Sequence, residues 1–127
     1  MLYSIDTSQK ITSIPHENEY KICLSRLSQD ELEAIKDALN TMIDEDIAKG
    51  TDIQTSSWMP GSDWENTPFQ MIYEKAAKLD TVLSAKFFGL LVWVVFMERP
   101  EIWSFGRFEK DGQPIAGLTY FRLRNIQ

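Results

Sequence analysis

The sequence predicts an α+β fold: three helices packed on a small antiparallel sheet, in a single domain over 1–127. Three observations carry that expectation. Residues 28–50 hold a complete helix start, an amphipathic run and a glycine stop. Residues 81–98 are largely apolar and end before Pro100. Residues 102–123 form two strand-like runs about Asp111-Gly112. The length of 127 residues suits one domain that can bury a core without disulfides or metal. A composition of 43% hydrophobic and 25% charged residues belongs to a folding chain.

Taken in order, "LYSI" and "KITSI" read as short strands and "PHENE" as a loop. Tyr20, Ile22 and Leu24 alternate with Lys21, Cys23 and Ser25, the period of a half-buried strand. The first helix, about 29–49, starts at Ser28, with Glu31 three residues on to complete a capping box and Leu27 and Leu32 placed as a hydrophobic staple. Leu32, Ile35, Leu39, Met42, Ile43 and Ile47 then recur at helical spacing until Gly50. Asp46 falls on their side of the helix, where fraying or snorkelling into water accommodates it.

Residues 51–66 read as a long loop, uncommon in a compact domain unless functional or disordered. A second helix, about 68–78, is expected from Thr67 as cap, Pro68 at the first position and Gln70 closing a capping box. The third, about 81–98, is nearly all apolar from Phe87 to Met97 and is therefore the buried one. Its Val92, Val94 and Val95 leave a strand open as the alternative. Gly89 costs a helix interior about 1 kcal/mol relative to alanine, so a closely packed neighbour is expected there.

The hairpin, about 102–109 and 114–123, turns at Asp111-Gly112. Pairing Lys110 with Gln113 puts Trp103 opposite Tyr120, Phe105 opposite Leu118 and Gly106 opposite Gly117. The glycine pair would make a low floor on which the third helix, or a ligand, could approach the backbone.

Charge divides unevenly. Residues 1–66 hold 13 acids and 5 bases, a net of −8, and residues 67–127 hold 6 and 8, a net of +2. An acidic surface of this kind either solubilises or faces a basic protein or small cationic ligand. Arg99, Arg107, Arg122 and Arg124 sit among aromatics of the hairpin, but the acidic whole and the core's need for those rings count against nucleic acid.

Catalytic and metal-binding inventory is thin. His16 is the one histidine and Cys23 the one cysteine, with no nucleophile motif about either. The acids Asp44, Glu45 and Asp46 are consecutive and point different ways on a helix, so no metal and no cofactor is expected. With no secretory start, and no apolar run of the roughly 20 residues that span a bilayer, a soluble cytoplasmic protein is expected, with no membrane partner.

The remaining clue is "TSSWMPGSDWENTP". Trp58 and Trp64 can plug the core, anchor a protein partner or a second copy of the chain, or wall a pocket in which Asp63 or Glu65 meets a cation. The sequence favours a small acidic, non-catalytic interaction protein. Its candidate contacts are Trp58, Asp63, Trp64 and Glu65, together with the acidic helix face of Glu33, Asp37 and Asp44. The alternative is a small-molecule-binding protein or enzyme, its pocket formed by the 58–64 loop over the hairpin.

Overall fold

The computed structural model describes residues 1–55, 64–107, 109–114 and 117–123. Helices α1 (Glu17–Leu24), α2 (Gln29–Ala48) and α3 (Thr81–Glu98) and a single π-helical turn (Ile72–Ala76) pack against an antiparallel sheet. That sheet comprises β1 (Ile53–Thr55), β2 (Trp103–Gly106) and β5 (Thr119–Arg122), with β5 in the middle. Two-residue strands β3 (Glu109–Lys110) and β4 (Gln113–Pro114) form the hairpin tip. The fold is α+β, as the sequence predicts.

Local signals explain the firm elements. The Ser28 hydroxyl accepts from Glu31 N at 3.1 Å, and the Glu31 carboxylate accepts from Ser28 N at 2.8 Å, so the capping box closes. Gly50 ends α2 at φ 86°, a left-handed conformation that glycine adopts without a Cβ penalty. Asp80 caps α3 by accepting from Leu83 N at 3.0 Å. At the other end Arg99 turns extended (φ −69°, ψ 149°), as a residue before proline tends to. Asp111 and Gly112 take φ 55° and 78°, the two positive values of a type I′ turn.

α3 is the centre of the core. From Phe87 to Phe96 every residue except Gly89 is buried. By length and composition alone it could cross a membrane, but here other elements of the fold cover it. Phe96 stacks on Tyr120 at 4.2 Å and meets Trp103 edge-on at 4.8 Å, while Trp93 meets Phe105 edge-on at 4.7 Å. Trp103, Phe105 and Tyr120 thus present one sheet face to α3. Burial pushes the Tyr120 phenol well above its ordinary pKa.

Several expectations are corrected. Residues 17–24 are a helix, not a strand: Tyr20 and Cys23, three apart, go inside, while Ile22 stays 53% exposed. The second helix is present but shorter than 68–78, helical over 70–76 and mostly a π turn, with Ala77 N donating to Ile72 O across five residues at 2.9 Å. Its start is also displaced. Gln70 accepts from Asn66 N, and the Thr67 hydroxyl donates to Trp64 O instead of capping. The 51–66 loop contains β1, an edge strand whose Gln54 and Thr55 are buried.

The hairpin tip has the expected register, but β2 and β5 pair two residues away from it. Phe105 lies opposite Tyr120 and Gly106 opposite Thr119. Between the paired regions one arm has residues 107–108 and the other 115–118, and Gly117 takes φ 76°. A slip of two preserves which face each side chain occupies, so the core survives it, but the Gly106–Gly117 floor does not form. At the N-terminus the strand reading holds in reduced form: Leu2 bridges Trp103 in parallel and Tyr3 bridges Lys10.

Candidate functional site

Gly89 is the anomaly that leads to the site. Among the described residues, no atom beyond its own stretch of helix lies within 4 Å of where its Cβ would stand, so the expected packed neighbour is absent there. What faces it is a cleft of about 860 Å³ along α3, bounded by the π turn on one side and the end of the hairpin on the other. This volume is in the range typical of small-molecule sites, about 300–1,000 Å³.

The walls are aromatic. Trp64 is half-buried and rests on Phe88 at 5.4 Å and Phe69 at 6.2 Å, and Phe69 meets Phe88 edge-on at 5.8 Å. Trp93, Tyr73 and Tyr120 line the same space. Trp93 is locked by its indole N–H, which donates to Ser13 O at 3.1 Å. The Trp64 indole N–H is shut off from water and has no hydrogen-bond partner among the described residues. An unmatched buried donor of this kind typically costs about 1–3 kcal/mol.

The π turn supplies Tyr73 and Glu74 to the cleft. Single π turns recur at functional sites because the wider coil re-aims side chains. This one is followed by Lys78 at φ 49° and Leu79 at φ 69°, two successive left-handed residues without glycine's freedom. Such positions typically cost on the order of 1–3 kcal/mol each.

Charged groups sit about the apolar walls. Lys86 pairs with Glu19 of α1 at 2.8 Å, and the hydrogen bond from Lys86 is the main cause that lowers the Glu19 pKa. Glu74 accepts from Gln70 at 2.7 Å. His16 enters at φ 51° just before α1, and Arg107 follows β2; both side chains are exposed and line the cleft.

A second, polar cluster lies at the C-terminal end of α3. Arg99, its side chain 6% exposed, donates to Asn40 at 2.8 Å, Asp44 at 2.5 Å and Glu101 at 2.8 Å. Burial alone would raise the Glu101 pKa, but hydrogen bonds from Arg99 and Trp103 outweigh it and hold the carboxyl below its ordinary value. This cluster ties α2 to the α3–β2 junction and is a structural feature.

Of the sequence-predicted contacts, Trp58 and Asp63 lie outside the described residues. Trp64 and Glu65 both line the cleft. The acidic face is divided: Glu33, Asp37 and Asp44 are all exposed, but Asp44 is held by Arg99. Sequence reasoning assigned Trp93 to the core alone and met Arg107 only as a nucleic-acid candidate. It weighed His16 only as a catalytic residue. No local signal joins these three, because they meet only through the tertiary fold. Among the described residues, no group of three or more metal-ligating side chains comes together.

Comparison with protein-family models, curated proteins and solved structures gave no match.

Proposed function

We propose that this protein binds a small, largely apolar and aromatic molecule in the cleft between α3, the π turn and the hairpin end. The observation that carries the reading is Gly89. A glycine in the middle of an 18-residue helix is about 1 kcal/mol worse than alanine, and no packed neighbour among the described residues requires it. Its effect is to keep the floor of the cleft low. Trp64, with the exposed parts of Phe88 and Trp93, offers aromatic surface at little cost in side-chain entropy, the kind of wall on which flat ligands bind.

The interaction-protein reading retains Glu33 and Asp37 as exposed acids, but Asp44 is engaged with Arg99. The cleft therefore has the stronger support, and a basic protein partner is the second reading.

Indole N–H resonances separate the two. A panel of naphthalene- and indole-sized fragments is expected to shift the Trp64 and Trp93 signals saturably. Trp103, fully buried and bonded to Glu101, should stay in place. A panel that leaves Trp64 and Trp93 unmoved, with shifts on α2 when a basic peptide is added, would favour the interaction reading instead.

A further inference from the structure

We infer that the ligand of this cleft is an anion: an aromatic body carrying a carboxylate or a similar oxyanion, held by Arg107. The inference rests on the cleft being a small-molecule site and adds the ligand's charge. It follows from which polar groups at the cleft already have partners. Lys86 is neutralised by Glu19, and Glu74 accepts from the Gln70 amide. Glu65 has an interaction of its own.

Two nitrogen donors remain open to the cleft. The Arg107 guanidinium makes no hydrogen bond or ion pair among the described residues, although it lines the cleft. The His16 imidazole accepts and donates nothing there either. The Trp64 indole N–H is sealed from water and so from a ligand's oxygens, and it does not count among them. A ligand that satisfies these two brings acceptor oxygens, and a guanidinium fork matches a carboxylate in two-point geometry. Glu65 and Glu74 balance Lys86 and Arg107 in the lining of the cleft, so the cleft does not share the acidity of the whole chain. An ammonium ligand would add a cation beside Arg107 and offer neither donor an acceptor.

The test uses three probes with one aromatic body: a naphthoate, the corresponding naphthamide and a naphthylmethylamine. Each is titrated into the full chain and into Arg107→Gln, with thermal melts run alongside. The naphthoate is expected to bind roughly tenfold more tightly than the other two, because Arg107 is exposed and its attraction is screened by salt. Raising the ionic strength should shrink that preference. Arg107→Gln should remove it by weakening naphthoate far more than naphthamide, with the melting temperature unchanged. An amine or amide that binds as tightly as the naphthoate overturns the anion inference and leaves the cleft reading standing. Failure of all three probes to bind overturns both.

Discussion

Trp103→Ala is expected to destabilise the protein by about 4 kcal/mol, the largest effect of any single truncation considered for this fold. Trp103 is fully buried and joins three parts of the structure. Its ring meets Phe96 of α3 edge-on at 4.8 Å, and its indole N–H donates to Glu101 at 3.1 Å. Its backbone pairs with the N-terminal segment, accepting from Tyr3 N at 2.8 Å and donating to Met1 O at 2.9 Å. Truncation removes the ring and strands a hydrogen-bond acceptor beside the cavity it leaves. Against a typical total of about 5–15 kcal/mol, this is a large share of the stability. At roughly 4 °C per kcal/mol for a chain of this size, the melting temperature should fall by roughly 15 °C. Trp103→Phe separates the contributions: it keeps an aromatic contact and loses only the N–H, so about 1–2 kcal/mol should go. Equal losses in the two variants would contradict the packing account.

Arg99→Met comes next, with an expected loss of about 3 kcal/mol at neutral pH. The thioether fills part of the volume but leaves Glu101, mostly buried, without its guanidinium partner and with the neutral donors, the Trp103 N–H and a backbone N–H, to hold it. The pH dependence identifies the cause. In the native protein the folded-state pKa of Glu101 is depressed. Its contribution is therefore present above the unfolded value of about 4.5 and is lost as pH falls through the lower, folded value. In Arg99→Met that advantage is gone at every pH, and protonating Glu101 relieves its burial. Chemical denaturation of the two proteins should show a wide gap at pH 7 that narrows below about pH 4.5. The double variant Arg99→Met, Glu101→Gln should recover part of the loss at neutral pH, since an amide oxygen still accepts from Trp103. A gap independent of pH would place the cost in packing instead of charge.

How much of this was legible in the sequence follows the range of the interactions involved. Ser28 with Glu31, Gly50, Asp80 and Asp111-Gly112 act within four residues of themselves, so their helix ends and turn could be read directly. Residues 17–24 were ambiguous because Tyr20 serves both a period of two and a period of three; only the exposure of Ile22 and burial of Cys23 decide. β1 was hidden because it is three residues long and buries the polar Gln54 and Thr55, the latter through a hydroxyl pair with Thr119 at 3.0 Å. The register slip was invisible, since pairing outward from a strong turn assumes arms of equal length.

The site divides in the same way. Trp64 stood out as a large apolar group among turn formers, and Gly89 as a misfit in a helix. Sequence could not say whether the misfit makes room for a neighbour or for a ligand, because both leave the same residue. Only the empty space at Gly89, and the convergence of His16, Trp93 and Arg107 from distant segments, distinguish them.

Substitution at Gly89 tests this most directly. Gly89→Ala should raise stability by about 1 kcal/mol through helix propensity. Gly89→Phe should still fold, since open space surrounds the Cβ position, but its ring would occupy the cleft. The decisive measurement is a naphthoate titration of Gly89→Phe, followed through the Trp64 and Trp93 indole signals. The account predicts loss of saturable binding with the native melting temperature retained. Wild-type affinity in a folded Gly89→Phe would contradict it.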